Sequence, residues 1–191
     1  MQLTEGEIYH VYNRGNNRQP IFIRSWNYPY FIKGMERYLI PYCDLLAWCL
    51  MPNHFHFLVH ANKNSIPIIN DGSFERQRFS QAIKQLLSSY TKAVNKQENR
   101  TGSLFQQKTK AICVTANPGH DTTAFHYIHQ NLVKAGLVKR LEDWEFSSYT
   151  DYLGSGKYKL CNVKLAHERL AINYHRFAEE SYRVINFDVE E

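Results

Sequence analysis

The chain has 191 residues, 43% of them hydrophobic and 14% aromatic, enough to bury the core of one folded domain without staples. No apolar run approaches the roughly 20 residues that span a bilayer, and the first seven residues lack the basic start and apolar stretch of a signal peptide, so a cytoplasmic protein with no membrane contact is expected. The net charge of +5 is uneven, with 11 Lys and Arg against 4 Asp and Glu in residues 71–140 and 6 against 10 in residues 141–191.

Residues 7–13 alternate and are rich in β-formers, which predicts a strand, and Arg14-Gly15-Asn16-Asn17 ends it. From about 26 to 39, Tyr30, Phe31, Met35 and Tyr38 recur about once per turn, predicting an amphipathic helix. The apolar run from Tyr42 to Leu50, the turn Met51-Pro52-Asn53 and the run His54 to His60 predict a hairpin. Residues 62–75 are polar and irregular and read as a loop. A long helix follows from Arg76 to Lys96, with Phe79, Ile83, Leu86, Leu87, Tyr90 and Val94 on its apolar side. Thr109 to Thr115 reads as a fourth strand. A further helix runs from an N-cap at Thr122 or Thr123 to Ala135, with Gly136 just past its end. Residues 157–185 are expected to add helix on the outside, and residues 188–191 to fray.

This order matches an α+β fold, a ferredoxin-like or RRM-like split βαβ antiparallel sheet with helices on one face, plus a C-terminal helical extension. Residues 1–152 form the expected functional unit and residues 153–191 an extension of the same domain. Cys43, Cys49, Cys113 and Cys161 show no C-x-x-C spacing, so buried, reduced thiols are expected rather than a zinc site or disulfides.

His54-Phe55-His56 carries the chemistry. On a strand, His54 and His56 share one face while Phe55 takes the other, so two imidazoles about 7 Å apart along the strand could hold one divalent ion. Two polar residues on a solvated sheet face would produce the same pattern. On the last predicted helix, Tyr127, Asn131 and Lys134 fall at i, i+4 and i+7, and Ala124, Ile128, Leu132 and Ala135 on another face. A polar stripe containing a tyrosine and an amide is unusual for a helix that only packs. Tyr90 lies on an apolar helix face and is core by position. Tyr12, Tyr42 and Trp48 also read as core, His126 and His129 as surface in preference to groups that support Tyr127, and the role of His10 is open.

Leu50-Met51-Pro52-Asn53-His54-Phe55-His56-Phe57-Leu58-Val59 resembles the HUH signature of single-tyrosine transposases of bacterial insertion sequences. Tyr127-Ile128-His129-Gln130-Asn131, leading into Lys134-Ala135-Gly136, is similar to the branch of that family associated with repetitive extragenic palindromes (REP). Tyr9-His10-Val11 with Arg14-Gly15, Gly102-Ser103-Leu104-Phe105-Gln106 and Trp144-Glu145-Phe146-Ser147-Ser148-Tyr149 match its looser motifs, so the resemblance covers about residues 7–152. It implies a metal-dependent transposase or single-stranded DNA endonuclease acting through a 5′-phosphotyrosine, with Tyr127 as nucleophile. His54, His56 and Asn131 would be the ligands of Mg²⁺ or Mn²⁺, whose oxygen-loving chemistry suits the Asn131 carbonyl. Lys84, Lys92, Lys108, Lys110 and Lys134 within the basic section, together with Arg14, are the candidate DNA contacts. The implied partner is single-stranded or hairpin DNA with palindromic ends. A homodimer is compatible with this, because the loop 115–121 could let the tyrosine helix swing to its own site or a neighbour's. The alternatives are a host-domesticated nuclease and a non-catalytic RRM-like binder, and residues 53–60 and 109–115 lack the Gly-Phe-x-Phe pattern of the latter.

Overall fold

The computed structural model describes residues 1–183 apart from Asp71 and Ser73. The opening alternation forms β1 (Ile8–Arg14), and the first apolar helix forms α1 (Asn27–Gly34), prolonged by a π-helical turn over Met35–Leu39. The hairpin is β2 (Asp44–Met51) and β3 (His54–His60), joined by Pro52 and Asn53. A short pair, β4 (Ile68–Asn70) and β5 (Glu75–Gln77), interrupts the predicted loop before α2 (Arg78–Gln97). Then come β6 (Lys110–Cys113), α3 (His120–Lys134), the single turn α4 (Tyr149–Tyr152), α5 (Val163–Arg169) and α6 (Phe177–Tyr182). The expected fraying of residues 188–191 lies outside the described residues.

The main sheet runs β2-β3-β1-β6 with every neighbouring pair antiparallel, the ferredoxin-like order that the element sequence predicts. Alternation sends Tyr9, Val11, Phe55, Phe57 and Val59 to one face, where they pack with Phe31, Ile32 and Met35 and with Phe79, Ile83, Leu86 and Tyr90. There α1 and α2 lie close: a Cβ on Gly34 would stand 2.8 Å from Leu86 Cδ1, so a larger residue would require the Leu86 side chain to move. Tyr90 is 1% exposed and its hydroxyl donates to the Ile21 carbonyl at 2.7 Å, which fixes it in the core.

The opposite face carries Ile8, Leu58, Met51 and Cys49 and is covered by α3. A bulge between Leu45 and Ala47 turns both Leu46 and Ala47 toward this face. The C-terminal extension closes over the outside of α3, with Ala166, Leu170, Ile172 and Phe177 joining Phe125, Ile128 and Leu132. The chain thus covers both faces of the sheet: α1 and α2 take one face as predicted, and α3 takes the other. No helix among the described residues is long and apolar enough to cross a membrane.

Residues 144–148 run along the outer edge of β2. Leu50 N–H donates to the Phe146 carbonyl at 3.0 Å, Ser148 N–H to Trp48 at 2.9 Å, and the Trp144 indole N–H to the Leu50 carbonyl at 3.0 Å. The Trp-Glu-Phe-Ser-Ser motif therefore occupies backbone groups that an open edge strand would leave to another chain. All four cysteines are free thiols, and burial pushes the Cys43 and Cys49 thiols far up, so they are inert.

Candidate active site

The tight turn of the hairpin sets the position of His54. Asn53 is pinned through its carbonyl, which accepts from Gly15 N–H at 2.8 Å, and through its side-chain amide, which donates to the Arg18 carbonyl at 3.2 Å. Gly15 is required here: a Cβ would sit 2.1 Å from the Gln19 carbonyl oxygen. With its amide nitrogen committed to Arg18, Asn53 turns Oδ1 toward His54 Nδ1, 2.6 Å away. His54 then carries its proton on Nδ1, leaving the Nε2 lone pair for other use.

His56 is held differently. Its Nδ1 lies 2.9 Å from His10 Nε2, and the two rings stack with centroids 5.1 Å apart. Tyr12, directly opposite His56 in the β1–β3 register, stacks on both, at 4.9 Å from His10 and 5.9 Å from His56. The His54 and His56 rings are 4.9 Å apart and nearly perpendicular. Burial lowers the His10 pKa to about 3, and burial followed by the neighbouring His10 and His54 lowers that of His56 well below the ordinary range. Both imidazoles are neutral at neutral pH, the form that binds metals.

The helix α3 brings Tyr127 over this group. Its ring meets His10 and His56 edge-on, with centroids at 6.0 and 6.1 Å, and Lys134 Nζ stands 5.3 Å from the ring centroid. Asn131, one turn along, is 8% exposed, and its Nδ2 is buried without a hydrogen-bond partner. A buried donor on the helix face shared with Tyr127 calls for an acceptor, such as an oxygen of a bound ligand. Among the described residues no group of three or more His, Cys, Asp or Glu is arranged to hold a metal ion. The imidazoles of His54 and His56 and the side-chain carbonyl of Asn131 are nitrogen and oxygen donors of kinds that divalent cations accept.

Beside the histidines a cleft is lined by Tyr12, Asn13, Arg14, Gln106, Lys108 and Lys110. Asn13 builds its rim: its amide donates to the Gln106 carbonyl at 3.1 Å and to Thr109 Oγ1 at 2.9 Å, tying residues 106–109 to the end of β1. A broader groove continues from Asn13, Gln106 and Lys108 past Lys84. Of the six predicted DNA contacts, Arg14, Lys108 and Lys110 gather at the histidines, Lys84 lies farther along the groove and Lys134 sits over Tyr127. Lys92 is exposed on α2 and lines neither cleft.

Three expectations change. The histidine face is not open, because α3 covers it: His56 is 1% exposed and only His54 is half-buried. His126 and His129 are not on the surface but 3% and 0% exposed, paired with Ser181 Oγ at 3.0 Å and Ser148 Oγ at 2.9 Å. The α3 helix starts at His120, with Gly119 at φ 77 as its N-cap, rather than at Thr122 or Thr123. Its other end is as predicted: Gly136 at φ +67 closes a Schellman turn, with Gly136 N–H on Val133 O and Leu137 N–H on Leu132 O. His10, Tyr12 and Asn13 were not singled out for the site from sequence. The strand alternation that places His10 and Tyr12 on the face of His54 and His56 was available once β1 is paired with β3.

No family model matches the chain. A protein of Haemophilus influenzae named as a REP-associated tyrosine transposase is 23% identical over 106 residues, 56% of this chain and 58% of that protein, so the match spans less than two thirds of its length. A solved structure of a REP-associated tyrosine transposase bound to a REP hairpin aligns with a TM-score of 0.59 at 19% identity, covering 85% of this chain and 87% of the other. The chain is similar to REP-associated tyrosine transposases in sequence and in fold.

Proposed function

We propose that this chain is a metal-dependent DNA transposase, cutting single-stranded or hairpin DNA at palindromic repeat ends and rejoining it through a 5′-phosphotyrosine on Tyr127. The observation that carries the reading is Tyr127 packed edge-on against His56 within the same chain, with Lys134 over its ring and Asn131 on the same helix face. Both named relatives, one of them bound to a REP hairpin, support the same class of reaction.

Held by His54, His56 and Asn131, a Mg²⁺ or Mn²⁺ ion would polarise the scissile phosphate and offset charge on its oxygens. Tyr127 Oη attacks phosphorus, the bond from phosphorus to the 3′-oxygen breaks, and that oxygen leaves as a 3′-OH while the phenol gives up its proton. Lys134 Nζ, 5.3 Å from the ring centroid, would stand beside the charge that develops as the phenol gives up its proton. The energy of the phosphodiester stays in the tyrosyl link, and a 3′-OH of another strand reverses the step without ATP. Arg14, Lys108 and Lys110 would hold the backbone beside the histidines, with Lys84 farther along the groove. Residues 1–152 would do the chemistry, with the described part of the extension that begins at residue 153 bracing α3, in a cytoplasmic protein.

The rival RRM-like binder would need the sheet face for base stacking, and α3 lies across that face, which weighs against it. To test the proposal, a labelled REP-type hairpin and a fully paired duplex of the same sequence are incubated with the protein plus Mg²⁺ or plus EDTA. Cleavage of the hairpin alone, and only with the metal, is expected. Metal-independent cutting, or equal cutting of the duplex, would contradict it.

A further inference from the structure

We infer that His10 is a positioning residue that sets the tautomer and ring orientation of His56 for metal binding. The inference rests on the proposal that His54 and His56 hold the ion, and it adds a residue to that site. For His56 to offer Nε2 to a cation, its proton must sit on Nδ1, and Nδ1 has an acceptor in His10 Nε2 at 2.9 Å. His10 reaches it from the neighbouring strand. Its register partner in β3 is Leu58, so it lies diagonally across from His56 on the same sheet face.

Two further observations favour this role over simple packing. His10 is 0% exposed and its ring is packed by Tyr12 and Tyr127, so its Nε2 is held in one place beside His56 Nδ1. An apolar side chain would fill the same space between Tyr12 and Tyr127 at lower desolvation cost, so a buried imidazole here calls for a polar task. His54 receives the equivalent service from Asn53 Oδ1 at 2.6 Å. Each proposed ligand is thus oriented through Nδ1 by a different partner, an arrangement that raises ligand basicity and prevents ring flips.

The test reads Mn²⁺ binding by the DNA-free protein, by calorimetry and by electron paramagnetic resonance, in the parent and in His10→Phe, His10→Gln and His54→Ala. His10→Phe keeps a flat ring but removes the acceptor, and a loss of affinity of about 10- to 100-fold is expected. His10→Gln puts a carbonyl oxygen within reach of His56 Nδ1 and should recover much of that loss. Nitrogen NMR of the parent should show His56 protonated at Nδ1, a readout that needs no variant to fold. If His54→Ala loses Mn²⁺ while His10→Phe binds as tightly as the parent, the role of His10 is refuted and the site stands. If His54→Ala also binds normally, the metal assignment itself fails. A His56 protonated at Nε2 in the parent would overturn the inference directly.

Discussion

At the scale of single residues, the two histidines of one H-x-H motif do different structural work. His54 is half-buried at the hairpin tip and is held by its own neighbour, whereas His56 is enclosed by His10, Tyr12 and Tyr127. Replacing either by alanine should abolish cleavage, but the costs in stability should differ. His54→Ala should melt within a few degrees of the parent, while His56→Ala leaves a cavity and removes the hydrogen bond to His10, and should cost about 2–4 kcal/mol. Circular dichroism melts of the two variants check this, and equal melting temperatures would count against the enclosed placement of His56. The motif was legible in the sequence because strand alternation dictates that two residues apart share a face. The enclosure was not, because it depends on α3 crossing that face, and nothing in Ala124–Leu132 specifies which surface the helix meets. The same gap explains His126 and His129: polar residues on a helix read as exposed unless the partners Ser181 and Ser148, 55 and 19 residues away in sequence, are known.

At the scale of elements, α3 is the piece that joins core to chemistry. All nine residues from Ala124 to Leu132 are buried, so one side of the helix faces the sheet and another faces α6 and the extension. A swing of α3 about Gly119 would expose Phe125, Ile128 and Leu132, and the structure instead places Tyr127 at its own histidine pair. Ser148 fastens the helix to the sheet: its hydroxyl meets His129 Nε2 at 2.9 Å and accepts from the Trp48 N–H at 2.9 Å. Ser148→Ala leaves both groups buried without that partner and should destabilise the protein by about 1–3 kcal/mol, measured by urea denaturation. The periodicities of 3.6 and 2 made every strand of the sheet and α1 to α3 legible, and the short connections made the ferredoxin-like order the natural one. What escaped was the start of α3, where Gly119 supplies a left-handed cap that side-chain capping preferences do not anticipate, and the β4–β5 pair inside a polar loop.

At the scale of the whole molecule, burial of neutral histidines makes acid a general threat to the fold. His10 and His129 are both lowered by burial from 6.5 to about 3. Below pH 6.5 the unfolded chain binds protons that these two sites refuse in the folded state, so stability is full above 6.5 and falls as the pH drops toward 3. The expected loss is about 1 kcal/mol per pH unit for each histidine. Urea titrations across that window should show it, with a shallower slope in His129→Gln, and an unchanged slope would mean that His129 is not held neutral. The same enclosed architecture leaves Tyr127 against the histidines with a basic groove leading to them, and the central claim is that its oxygen attacks DNA. The most direct measurement is a labelled single-stranded REP-type hairpin incubated with Mg²⁺ and either the parent or Tyr127→Phe, followed by denaturing electrophoresis. The phenylalanine ring keeps the packing on His10 and His56, so folding and DNA binding should persist while the covalently labelled protein band and strand cleavage vanish. A labelled band that survives in Tyr127→Phe would contradict the assignment of the nucleophile.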